Sequence, residues 1–264
     1  MAIRVVSSVG EYLTALREPG YRLGLGDAPV NPWYLGHGDF KSTLAPPLYK
    51  AGIDPNLERE MLRDFRMTLP EFMPLKGLTE ADIMVQAHIN NMPLRILEWT
   101  ANPLVALYFA VEDLNSAEDG RVWVLNPWVL NDLVASLTYV PMTDSEHFRR
   151  YVIALDDPQA LTYPEATQPM AFRPYRLMKY MTAQNTYFTI HGRSPAALED
   201  LSFFLKRSDA YLSYLTVEGV AKRFIMKQLH DLNVTRASLF PTLTGLAKTI
   251  GYRYSAAYLR PNGR

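Results

Sequence analysis

Arg95 and Glu98, three residues apart, form the strongest chemical pair in the chain. An arginine offers a planar fork that clamps a phosphate or pyrophosphate, and a neighbouring carboxylate can orient that fork or stabilise a positive centre. The same two residues could instead make a structural ion pair that locks a strand-to-helix corner, because a buried arginine needs a carboxylate. In an extended segment they face opposite sides, whereas in a turn they can meet. Trp99 and Thr100 follow as hydrogen-bond partners for Glu98, and the Trp99 ring either stacks on a ligand or fills the core. Upstream, His37 and Asp39 follow Tyr34-Leu35-Gly36. A glycine at that point permits close backbone approach to a ligand, and the imidazole can act as donor or base, or the segment is simply a polar turn. Tyr34 either bonds a ribose or packs below a sheet. Gln184 offers an amide to a ligand or to a strand end, and His88 sits alone on a helical segment as a ligand contact or a structural residue. Asn102, directly before Pro103, reads as a helix cap.

The rest of the composition removes several chemistries. With no cysteine the chain has no disulfide, thiolate metal site or thiol nucleophile, which fits a reducing compartment. Five histidines, His37, His88, His147, His191 and His230, lack metal-ligand spacing, so no metal is expected. Gly24-Leu25-Gly26 lacks the third glycine of a dinucleotide fingerprint, and neither a P-loop nor a nucleophile elbow occurs. The 264 residues carry 27 basic and 27 acidic side chains, a balance that provides no global field toward nucleic acid. Arg173, Arg176 and Lys179 make only a small basic cluster. The longest apolar run, Leu104 to Val111, is far short of the ~20 residues that span a bilayer. The N-terminus has no secretory leader pattern. A soluble, cytoplasmic protein with no membrane partner is therefore expected.

These residues need elements to position them. Asn102-Pro103, Asn126-Pro127 and Ser194-Pro195 each place a capping side chain before a proline, and Thr79 with Asp82 resembles a capping box. Apolar spacing predicts further helices over Leu57 to Phe65 and Val217 to Leu232, the latter with Val220, Phe224, Ile225, Leu229 and Leu232 on one face. Strands are expected at Ile3 to Val6, Pro32 to Leu35, Arg121 to Leu125, Arg150 to Ala154, Thr186 to Ile190 and Tyr211 to Leu215. The irregular mixture of elements points to an α+β fold, a single domain over residues 1–264 with helices around a small, split, partly antiparallel sheet. The Pro-rich and acidic stretch 139–170 reads as an irregular connection or insertion.

Three blocks carry a resemblance. They are Trp33-Tyr34-Leu35-Gly36-His37-Gly38-Asp39-Phe40, the long central run from Pro93 through Leu94-Arg95-Ile96-Leu97-Glu98-Trp99-Thr100-Ala101-Asn102-Pro103 to Ala110, and Ala183-Gln184-Asn185-Thr186-Tyr187-Phe188-Thr189-Ile190-His191. A tail block, Leu239 to Ala247, follows. In this order they resemble the FRG domain family over residues 5–250, with a distant likeness to the ADP-ribosyltransferase superfamily. The chain departs from the family at Leu35, where the naming arginine should stand, at His88-Ile89 in place of a Gln-His pair, and at Leu94 in place of a threonine. The resemblance implies a nucleotide-binding toxin or effector of conflict between bacteria and phages, one that uses NAD to transfer ADP-ribose to a macromolecular target or cleaves NAD. In that reading Arg95, Glu98, Gln184 and His37 are catalytic, and Tyr34, Gly36, Trp99, Thr100 and His88 bind the cofactor. The rival reading is a binding module that has shed catalysis and sequesters a nucleotide or a protein partner.

Overall fold

Side-chain caps set the helix starts that bracket the central motif. The Thr79 side chain accepts from the Asp82 backbone in a reciprocal capping box that opens one helix, and Asn102 accepts from the Leu104 N–H at 3.0 Å to open another. The computed structural model describes residues 4–18, 23, 31–152, 155, 166–201 and 211–259. Among these, the strands are β1 (Val5–Val6), β2 (Trp33–His37), β3 (Ile96–Thr100), β4 (Gly120–Leu125), β5 (Met170–Phe172), β6 (Thr186–Ile190) and β7 (Leu212–Val217). The helices that shape the site are α1 (Val9–Ala15), α2 (Pro47–Lys50), α3 (Glu58–Thr68), α4 (Glu80–Ile89), α5 (Pro103–Val111), α6 (Pro127–Ala135), α7 (Glu146–Arg149), α8 (Lys179–Ala183), α9 (Lys222–Asp231), α10 (Arg236–Leu239), α11 (Leu243–Arg253) and α12 (Ala256–Leu259). The fold is α+β, with these helices around one mixed, open sheet of order β1-β7-β4-β2-β3-β6-β5.

The sheet is nearly divided at its centre. β2 pairs with β4 along its whole length and β3 pairs with β6 along its whole length, but β2 and β3 meet only at Tyr34↔Thr100. Beyond that pair the two strands diverge. On one face of the sheet the helices also fall into two packed groups. Around β2, β4 and β7, Tyr34, Val122, Val124 and Leu215 pack with residues of α1, α5 and α9 such as Tyr12, Ala106 and Ile225. Around β3, β5 and β6, Ile96, Phe172, Phe188 and Ile190 pack with Leu62 of α3 and Met84 and Val85 of α4. The opposite face is closed by one continuous core that contains Trp33, Leu97, Trp99, Trp123 and Leu130.

Several sequence expectations are corrected. Arg150 and Tyr151 are in a turn and Val152 is irregular, so no strand starts at Arg150; Ala154 lies outside the described residues. Ser194-Pro195 opens no α-helix. Ala197 stays extended, and only a short 3-10 turn, Leu198–Asp200, follows. On α9, Ile225 and Leu229 are buried, but Val220 and Leu232 are exposed, because Val217 ends β7 and the helix begins only at Lys222. The part of 139–170 that is described contains α7 and the Met142↔Arg173 bridge, and it buries Phe148 and Tyr151. Ile3 lies outside the described residues.

Candidate functional site

A cleft of about 720 Å³ opens where β2 and β3 part, between the two helix groups. The face is set by strand alternation: Tyr34 and Thr100 stand opposite each other, so Gly36 and Glu98, two residues on and two back, point the same way. α4 brings His88 to one wall and α5 brings Ala106 and Phe109 to the other, while Tyr180, Gln184, Arg236 and Phe240 border the opening.

Glu98 is the one carboxylate among the lining residues. Its Oε1 accepts from the Thr186 hydroxyl at 3.1 Å across the β3–β6 pair. Loss of solvation outweighs that hydrogen bond and pushes the carboxyl up to about 7. His88 is the reverse case, an imidazole pushed down to about 4 by burial and hence neutral near pH 7. Its Nδ1 is buried with no hydrogen-bond partner, and its ring meets Phe188 edge-on at 5.5 Å. Burial raises the Tyr34 hydroxyl to about 12 and pushes Tyr180 well up, with the Glu98 charge adding to the latter. The opening is aromatic. Phe240 lies 5.7 Å from Tyr180 and 6.2 Å from Phe109 between centroids, and the Arg236 guanidinium sits 4.0 Å over the Phe240 ring while paired with Glu112.

The remaining expected residues are structural neighbours of this cleft. Arg95 does not line it. Its side chain is 1% exposed, its Nε donates to Glu58 Oε2 at 2.5 Å, and its guanidinium also donates to the Tyr151 carbonyl at 3.0 Å and the His191 carbonyl. The ion pair anticipated with Glu98 is therefore made with Glu58, at the start of α3, and the phosphate-clamp role is corrected: every arm of the fork is spent in the core. Gly36 lines the cleft and serves a close approach of α5. A Cβ there would lie 1.9 Å from the Ala106 carbonyl oxygen. The Trp99 ring points to the opposite face, is 1% exposed, and donates from Nε1 to Thr189 Oγ1 at 3.0 Å, so it fills the core. His37 borders the cleft at the strand end, yet its ring also faces away: Nδ1 accepts from Trp123 Nε1 at 3.3 Å, and burial, followed by Lys50, lowers it to about 4. Thr100 donates to the Gln184 carbonyl and accepts from the Asn102 N–H at 3.0 Å, which fastens the corner between β3 and α5. Gln184 Nε2 donates to the Leu239 carbonyl at 3.2 Å and ties α8 to α10.

Residues 31–119 match the family model of the FRG domain. Over these residues, about a third of its length, the chain carries an FRG domain. The match covers β2 through α5, which supply both strands of the split, Glu98, His88 and Phe109, but it stops before the Gln184 and tail blocks that the sequence comparison had included. No curated protein and no solved structure matches the chain. Beyond the FRG domain's own blocks, Tyr180 and Arg236 are cleft residues that sequence reasoning did not single out, and no local spacing marks either one. Thr186, Phe109 and Phe240 stood inside the quoted blocks, where their aromatic or hydroxyl character was the available signal. Among the described residues no group of three His, Asp or Glu could hold a metal ion, and no helix is long and apolar enough to cross a membrane.

Proposed function

We propose that the FRG domain binds a nucleotide in the cleft between β2 and β3 and acts on the N-glycosidic bond of NAD. The observation that carries this reading is Glu98, a desolvated carboxylate with no cationic partner among the described residues, at the centre of an aromatic-walled cleft. Such a group is suited to a positive ring or to positive charge that develops on a ribose. In the reaction the bond from ribose C1′ to the nicotinamide nitrogen breaks, and its electron pair leaves with nicotinamide. Water, or an acceptor group of a macromolecule, forms the new bond to C1′ and gives up its proton. Glu98, ionised above about pH 7, stabilises the cationic ribose during that exchange.

The nicotinamide-ribose half suits the residues present. Phe109, Phe240 and Tyr180 provide aromatic faces at the opening, and the neutral His88 forms part of the wall. Among the described lining residues the cation is Arg236 at the mouth, where a phosphate would compete with Glu112 for its guanidinium. The FRG family resemblance supports the biological setting of a toxin or effector in conflict between bacteria and phages.

One observation favours a second reading, a binding module without turnover. With Arg95 committed to Glu58, and Leu35 where the family has its arginine, the interior of the cleft has no cation for a pyrophosphate among the described residues. Incubation with NAD and chromatography for free nicotinamide tests both. The expected result is nicotinamide release that rises with pH through about 7 and is abolished in Glu98→Gln. Calorimetric binding of NAD or ADP-ribose with the dinucleotide left intact would select the binding module, and absence of both would overturn the nucleotide reading.

A further inference from the structure

The outermost helical layer presents an apolar face to solvent. Gly245 and Thr249 of α11 are buried against the preceding helix, where Thr249 Oγ1 accepts from the Ala237 N–H at 2.8 Å. At about 100° per residue, Leu243, Leu246, Ala247, Ile250 and Tyr254 fall within an arc of roughly 100° on the opposite side. Leu243 is 86% exposed, Tyr254 77%, Leu246 49% and Ile250 46%. Arg253 borders this stripe and Lys248 stands beyond its other edge, both exposed.

The charged residues of α11 itself, Lys248 and Arg253, have one sign. Among the described residues after Asp231 no side chain is acidic; the basic ones are Arg236, which is paired with Glu112, and Lys248 and Arg253 on α11. Asp231 itself is occupied by Lys227 Nζ at 2.7 Å and the Tyr258 hydroxyl at 2.8 Å. The neutral total thus hides a basic C-terminal end. A second copy docked on the same stripe would bring like charges together, which disfavours self-association. A convex apolar crest flanked by cations is complementary to an anionic bilayer surface, where Leu, Ile and Tyr side chains sink below the headgroups and Lys and Arg stay level with them.

We propose that the exposed stripe of α11 seats the chain peripherally on an anionic lipid surface. This is independent of the nucleotide reading, and it revises the expectation of no membrane partner. That expectation rested on net charge and on the length of apolar runs, neither of which describes a single helix face. Because α11 packs on α10, which supplies Arg236 to the cleft, the lipid contact adjoins the element at the cleft's mouth.

The test is co-sedimentation of the full chain with vesicles of phosphatidylcholine containing about one third phosphatidylserine, against pure phosphatidylcholine. Pelleting with the anionic vesicles that is lost in pure phosphatidylcholine and at high salt is expected. Lys248→Glu with Arg253→Glu should weaken partitioning by about tenfold or more. Leu246→Ser with Ile250→Ser should do likewise. Leu243→Ser changes the most exposed position of the stripe and keeps the test valid should the double variants unfold. Absence of pelleting, equal pelleting with neutral vesicles, or variants that pellet like the unmodified chain would each overturn the proposal. Capture of an acidic protein through the stripe without lipid binding would overturn it as well.

Discussion

Arg95 and Glu98 stand three residues apart in one motif and end in opposite environments. Arg95 lies just before β3 and turns into the core, where Glu58 and two carbonyls absorb its donors. Glu98, within β3, faces the split and among the described residues has only the Thr186 hydroxyl to replace its lost water. The carboxylate of the first region is neutralised and the carboxylate of the second is not, which is why Glu98 is driven up to about 7. The same short segment thus holds a paired charge and an unpaired one, with the ion pair anchoring the start of the strand that carries Glu98 to the cleft.

The largest expected effect comes from breaking the paired region. Arg95→Met leaves Glu58 buried without its cation and should cost about 3–5 kcal/mol in urea unfolding, with most of the loss recovered when Glu58→Leu is added. Normal stability combined with lost nucleotide binding would instead place Arg95 in the cleft. The next effect belongs to the unpaired region and depends on pH. A carboxyl whose folded value exceeds its unfolded one holds its proton more tightly in the folded chain, so the penalty is absent below about 4.5, grows toward about 7 and persists above. The full penalty is roughly 3 kcal/mol. Glu98→Gln should therefore be more stable than the unmodified chain in mild alkali and equal to it in acid, as read from urea midpoints. The smallest effect sharpens the wall between the regions: Gly36→Ala forces a methyl into the Ala106 carbonyl and should cost about 1–3 kcal/mol. A smaller loss would mean that α5 can shift away from β2.

What was legible in the sequence is what local chemistry determines. Asn102, Asn126 and Thr79 declare their helices because a cap bonds residues two or three positions away. The α+β class and eight of the cleft residues, Tyr34, Gly36, His37, Glu98, Trp99, Thr100 and Gln184 within the motif blocks and His88 upstream of the central one, were also readable from the sequence. Partnerships across the fold were not. Glu58 lies 37 positions from Arg95, and nothing in its spacing announces the pair. Trp99 and His37 illustrate a second limit, since a residue can border a cleft through its backbone while the pleat turns its side chain to the other face. Tyr180 and Arg236 reach the opening where α8 packs on α10, a junction fastened by the Gln184 bond to Leu239 across 55 positions. At the C-terminus, an even total charge masked an uneven distribution.

The most direct test of the central claim is a pH titration of the Glu98 carboxyl carbon by ¹³C NMR, assigned by difference against Glu98→Gln. The account predicts a midpoint at about 7, moved downward when a cationic nicotinamide ligand fills the cleft. A midpoint near 4.5, the ordinary value for this side chain, would contradict it, because Glu98 would then be solvated or paired and the cleft would have no special carboxylate.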